Sequence, residues 1–223
     1  MKKGFKSILV FIIIALLCWY SVKTSGEIEV KEDDIDNNIT NTLVLVNREH
    51  GSDKNYIPID LSIPEIPFTD EAIDEEKHVA GIMKEPLEEL INEAEKEGIF
   101  LMGNSAYRSY ESQKNVYNNR VKNQGKESAD AYVAKPGFSE HQTGLCIDIT
   151  NKDRYFVEGT EEVEWLKENC SKFGFIIRYP KDKKDVTGIE YEPWHIRYVG
   201  KDVAKYISDN GITLEEYLEK QSR

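Results

Sequence analysis

Two histidines and two acidic side chains stand in this chain at spacings that suit metal-assisted hydrolysis. In Ser139-Glu-His-Gln-Thr-Gly-Leu-Cys-Ile-Asp148, His141 and Asp148 lie on either side of Gly144, and Glu192-Pro-Trp-His195 supplies a second imidazole. Two histidines and one carboxylate leave a tetrahedral position open for water, which marks a catalytic zinc site rather than a closed structural one. His141, Asp148 and His195 are therefore the expected ligands of one zinc ion. Glu192, just ahead of His195, is the expected general base. It takes a proton from a water whose pKa a metal lowers towards about 7, and passes it to the leaving amine.

A substrate clamp is also legible. Arg108 follows a strand and precedes a helix, and its planar guanidinium suits bidentate capture of a free carboxylate. Gln113 is placed to add an amide contact from that helix, and Ser139 to contact substrate or orient the metal ligands.

Periodicity predicts the elements that hold these groups. Residues 145–150 and 194–199 read as strands, and alternate strand residues share a face. Asp148 then points with Cys146, and His195 with Arg197, while Gly144 frees the turn that carries His141. Residues 175–179 pair antiparallel with 194–199, and residues 43–46 and 99–102 read as further strands. Helices are expected over 71–97, 110–123 and 160–173. The first has Ile82, Leu87, Leu90, Ile91 and Ala94 on its apolar face, with Pro86 kinking or restarting it. The second is capped by Ser109. The third has the core stripe Val163, Leu166, Cys170 and Phe173. A short helix follows from 202, and Thr213 with Glu216 forms a capping box for the last. The fold class is α+β, with helices packed on a small, mostly antiparallel sheet.

Composition bounds the rest. The chain has 223 residues, 39% hydrophobic and 31% charged, with a net charge of −12. One domain fits that length. The negative balance excludes nucleic acid, which needs clustered Lys and Arg, and electrostatic docking on anionic lipid. Three cysteines without a CxxC pair exclude a disulfide framework and a thiolate zinc finger. His50 and His78 read as surface or core histidines, Trp194 as core or pocket wall, and Arg197 as a structural ion pair or a support behind the metal ligands.

Lys2, Lys3 and Lys6 precede an apolar and aromatic run over residues 8–22. That is an export pattern with its lysines held in the cytoplasm. No A-x-A-like cleavage pattern follows, so residues 1–25 read as an uncleaved single-pass anchor. A cleaved signal and a lipid anchor at Cys18 are the alternatives. Each places the rest outside the cytoplasm, at the membrane or secreted. Residues 26–41 are acidic, Asn-rich and read as a solvated spacer; residues 42–223 form the folded domain.

The motif Ser139-x-His141-x-x-Gly144-x-x-x-Asp148, with Glu192-Pro-Trp-His195-x-Arg197, resembles the VanY-type D-alanyl-D-alanine carboxypeptidases. These are zinc peptidases that share a fold with the hedgehog signalling domain. Leu43-Val-Leu-Val-Asn47, Ala106-Tyr-Arg108-Ser-Tyr110 with Gln113, and Arg178-Tyr-Pro180 extend the resemblance over about residues 42–200. It implies zinc on His141, Asp148 and His195, Glu192 as base, and Arg108, Gln113 and Ser139 on the substrate side. The implied reaction removes C-terminal D-alanine from peptidoglycan stem peptides on the bacterial cell-wall side. D,D-cleavage of pentapeptides is favoured, with L,D-cleavage of tetrapeptides or a non-catalytic wall-binding module as alternatives. One departure is Cys146, where the family usually carries alanine. A thiolate ligand there would close the site, although a buried inert thiol is the commoner state.

Overall fold

A computed structural model describes residues 42–222, which fall within the compact unit Ile39–Arg223. Helix α1 runs Gly81–Lys96 with Pro86 inside it, and Met83, Leu87, Leu90, Ile91 and Ala94 form its buried stripe. Ile82, expected on that stripe, is exposed, and Met83 takes the inward position. The expected start at 71 is also corrected. Residues Glu75–Lys77 form a 3-10 turn, and strand β2 (Val79–Ala80) pairs with β1 (Leu61–Ser62) before the helix begins. Pro86 therefore neither splits nor restarts this helix.

Four antiparallel strands make the main sheet: β3 (Met102–Ser105), β4 (Cys146–Thr150), β5 (Phe175–Tyr179) and β6 (Glu192–Tyr198), in the order β3-β4-β6-β5. Strand β3 begins where the 99–102 expectation ended. Residues 43–46 form no strand; instead the carbonyls of Thr42 and Val44 accept hydrogen bonds from Arg197. The other helices are α2 (Tyr110–Gln124), α3 (Lys126–Tyr132), α4 (Glu161–Asn169), α5 (Lys184–Thr187), α6 (Lys201–Asn210) and α7 (Leu214–Gln221). Ser109 caps α2 and the Thr213–Glu216 capping box starts α7, both as expected. Helix α4 ends earlier than the expected 173, and its last turn tightens into a 3-10 turn at Cys170–Phe173. The fold is α+β. Among the described residues no helix is long and apolar enough to cross a membrane; the expected anchor and spacer lie outside them.

One face of the sheet is core. Ile147, Ile149, Ile196 and Phe175 pack with Leu87, Leu90, Val163 and Leu166 from α1 and α4. A smaller cluster of Ile176, Val199, Ala204, Ile207 and Leu214 seats α6 and α7. The alternation that turns Ile147 and Ile149 inward turns Cys146 and Asp148 to the opposite face.

A fully buried charge cluster ties that second face together. Glu140 Oε1 accepts from Arg178 Nε and Arg197 Nη1, each at 2.7 Å, and Arg178 also pairs with Glu215 of α7. Burial opposes the Glu140 charge, but Arg178, Arg197 and His195 hold its carboxyl far below the usual carboxylate range. A depressed folded-state pKa contributes stability that is present above the unfolded value of about 4.3 and lost as pH falls below it. Denaturant melts should therefore show stability declining as pH is lowered through about 4. Glu140→Ala, which leaves the buried guanidinium of Arg197 without a carboxylate and Arg178 with Glu215 alone, should cost about 3–5 kcal/mol at neutral pH.

Candidate metal centre

The donors converge on the site face of β4 and β6. Cross-strand register puts Asp148 opposite His195 and Cys146 opposite Arg197. His141 arrives from a 3-10 turn, Glu140–Thr143, that ends on Gly144 in the left-handed region at φ 68°. A Cβ at Gly144 would sit 3.1 Å from both Ala80 N and Leu61 Cδ2, so the turn requires glycine on two counts. His141 Nδ1 meets the Ala106 carbonyl at 2.6 Å, which leaves Nε2 directed at Asp148 Oδ2, 3.7 Å away. His195 Nδ1 lies 2.9 Å from Asp148 Oδ1. The two imidazoles stand edge to face with centroids 5.0 Å apart.

Glu192 reaches the site through an irregularity. Residues three apart in a regular strand point to opposite faces, which would turn Glu192 away from His195. The β5–β6 register shifts between Ile177 and Tyr179, pairing Tyr179 with Glu192 and aiming both into the pocket. Burial pushes the Glu192 carboxyl up to about 7; His195 opposes the shift and Asp148 adds to it. A carboxyl so poised is the acid–base group that proton transfer near neutrality requires. Asp148 differs: burial works against its charge, yet His141, His195 and Arg108 hold it down to about 2.

These residues fit a divalent metal ion. The buried imidazoles are surrounded by Asp148, Glu192, Glu140 and the Cys146 thiol, an acidic excess that a cation would balance. Nitrogen and oxygen donors suit zinc. Cys146 is fully buried, and its sulfur forms with His141 and His195 a group of donor atoms all within 4.8 Å of one another. Burial raises the thiol's pKa, but the facing imidazoles, His141 foremost, bring it down to about 7. The thiol thus stands among the donors, while Asp148, the expected third ligand, meets each imidazole but lies outside that group. Cys170 is also free and buried, so the two form no disulfide.

Away from these donors the pocket opens into a cavity of about 370 Å³. Gln113, Val116, Arg120 and Gln124, spaced along one face of α2, line one wall, and Trp194, Tyr179 and Ile189 line the cavity elsewhere. Arg108 points in from the α2 start, with its guanidinium fixed by Glu76 (3.2 Å), Ser105 (2.6 Å) and Gln113 (2.8 Å). Gln113 is buried, accepting from Arg108 and donating to the Ala134 carbonyl at 2.7 Å. In this state its amide positions Arg108. Ser139 is buried and lines the pocket beside His141. His50 and His78 lie elsewhere, bonded to Asn47 and to the Asp74 carbonyl. Sequence reasoning missed Glu140 and Tyr179, whose ring lies 4.9 Å from that of His195. Glu140 adjoins His141, but nothing local announces that a second-sequence segment will supply its arginines.

Comparison with known proteins adds an independent line. The family model VanY, described as D-alanyl-D-alanine carboxypeptidase, matches residues 76–201. YodJ of Bacillus subtilis, which carries the name of a carboxypeptidase, is 45% identical over 188 residues, 82% of this chain and 69% of YodJ. The structure of the LdcB LD-carboxypeptidase matches with TM-score 0.76 and 45% identity over 82% of this chain and 88% of that one. A variant of the vancomycin-resistance D,D-pentapeptidase VanY, in complex with Zn(II), matches at 0.69 and 35% over 80% and 99%. VanYB in complex with D-alanine-D-alanine gives the same score and identity over 80% and 97%.

Two measurements test the centre. Zinc supplied at 100 times its Kd should raise unfolding stability by about 2.7 kcal/mol in a thermal or urea melt. No rise would remove the metal assignment. Gly144→Ala should cost at least about 1–2 kcal/mol, because a left-handed residue with a side chain is strained even before Ala80 and Leu61 yield.

Proposed function

The chain belongs to the VanY family of D-alanyl-D-alanine carboxypeptidases, and on that premise we propose that it is a zinc-dependent enzyme releasing C-terminal D-alanine from peptidoglycan stem peptides. The observation that carries this reading is the meeting of His141, Asp148, His195 and Glu192 at a pocket into which Arg108 also points. A bound zinc ion would be held by His141, Asp148 and His195, and supplies Lewis acidity for water and for the scissile carbonyl.

The chain's own residues do the rest. Arg108, with Nε held by Glu76 and its two terminal nitrogens each giving one bond to Gln113 and Ser105, uses its remaining N–H groups to hold the substrate's terminal carboxylate and so selects a chain end. Glu192 takes a proton from the attacking water and delivers it to the departing amine of D-alanine. Trp194 and Tyr179 shield this exchange from bulk water. Ser139 contacts the peptide near His141. Cys146 stays an inert neighbour of the histidines, which keeps one position open for water.

D,D-cleavage stands first, supported by the family's description and by the D-alanine-D-alanine bound to VanYB. L,D-cleavage is the second reading, favoured by the likeness to the LdcB LD-carboxypeptidase. The basic and apolar pattern of residues 1–25 supports placing the domain outside the cytoplasm, tethered at the membrane and facing the wall.

Mass spectrometry of muropeptides incubated with the zinc-loaded protein separates the readings. Loss of one alanine from pentapeptides establishes D,D-cleavage, and loss from tetrapeptides alone establishes L,D-cleavage. With zinc bound and neither product formed, the wall-binding alternative replaces the enzyme. Glu192→Gln should retain zinc and melting temperature while kcat falls about 10²–10⁴-fold; unchanged turnover would overturn the base assignment. Cys146→Ala should leave turnover within about threefold of wild type, since only a ligating thiolate would change the open position.

A further inference from the structure

Two of the buried side-chain atoms that lack a hydrogen-bond partner face each other across the floor of the site. They are Glu140 Oε2 and His195 Nε2, 3.6 Å apart, on side chains 0% and 4% exposed. The separation lies just beyond a hydrogen bond, and no other group satisfies either atom. A buried polar pair left in this way costs free energy unless the two serve each other.

The geometry of each partner is decided by its other atom. Glu140 Oε1 is held by Arg178 Nε and Arg197 Nη1, which fixes the plane of the carboxylate and turns Oε2 towards the imidazole. His195 Nδ1 lies on the side of Asp148 Oδ1, and Asp148 Oδ2 in turn faces His141 Nε2. Asp148 and His141 therefore stand on the Nδ1 side of His195, and Glu140 waits on the Nε2 side. A carboxylate only accepts, so Nε2 must carry a proton to serve Glu140, whereas the proton with which Nδ1 meets Asp148 Oδ1 is the one that metal binding would release.

We propose that Glu140 is the positioning residue of His195, accepting its Nε2–H and so fixing the tautomer whose Nδ1 lone pair is directed at the metal position. This rests on the reading of His195 as a metal ligand. Arg178 and Arg197 act through Glu140: they belong to the centre although neither lines the pocket. A carboxylate behind a ligating histidine orients the ring and strengthens it as a donor. The same group also sets the rotation of the ring against Asp148, across the paired strands.

The test is ¹⁵N NMR of the full chain carrying labelled histidine, titrated with zinc chloride. The expected spectrum of the loaded protein has His195 Nε2 protonated, with a slowly exchanging downfield proton, and Nδ1 shifted by the metal. Zinc shifting Nε2 instead, with Nδ1 protonated, overturns the proposal while leaving His195 a ligand. Zinc shifting neither nitrogen removes the ligand assignment and the proposal with it. Glu140→Gln should weaken zinc binding about 10–100-fold in a chelator competition. Unchanged affinity in a folded Glu140→Gln protein also overturns the proposal. The wild-type spectrum decides the matter even where that variant does not fold.

Discussion

The buried carboxylate of Glu140, clamped between Arg178 and Arg197, is the interaction on which the other features of this protein lean. It joins the turn before β4 to the C-terminal ends of β5 and β6, and Arg178 extends the link to Glu215 on α7. Arg197 carries it on to the carbonyls of Thr42 and Val44. Three charges with no exposure are costly to desolvate and are tolerated only when closely matched, as Glu140 Oε1 is by both guanidinium groups. That matching leaves few alternatives for where the turn can sit. Since the next residue after Glu140 is His141, the clamp also decides where the first imidazole stands.

Around the clamp, the sheet separates two environments by simple alternation. Ile147 and Ile149 serve the packed face, and Cys146 and Asp148 the face where charges gather. Two imidazoles there stand among three carboxylates and a thiol, so Asp148 is held ionised while the carboxyl of Glu192 is raised to about 7. Like groups with unlike protonation are what an acid–base site needs, and here burial and neighbours produce the difference. The pocket then runs along a polar stripe of α2, a helix with Gln113 as its one buried residue. Such a helix is held by its ends and by α3 more than by a core face, which leaves its inward stripe free to meet a peptide.

The parts legible in the sequence were those set by neighbours within a few residues. Ser109 and the Thr213–Glu216 box act within one turn, and both caps form where expected. The strand 175–179 and the antiparallel pairing with the strand of His195 follow from alternation between two loops. Elements that depend on distant partners were displaced. Residues 43–46 have strand-like side chains, yet their backbone meets Arg197 rather than a ladder. The helix expected from 71 starts at Gly81, because Val79 and Ala80 pair with Leu61 and Ser62.

By itself, then, the sequence determined which donors exist, their order on two strands, and the faces that Asp148 and His195 share, because side-chain alternation is local geometry. Tertiary structure alone decided that Glu192 turns towards His195, through a register shift opposite Tyr179. It also decided that Gln113 braces Arg108 and that Glu140 stands behind His195. Each of these depends on segments far apart in the chain arriving at one place. No short-range propensity encodes that meeting, since it is set by the joint packing of the sheet and the balance of its buried charges.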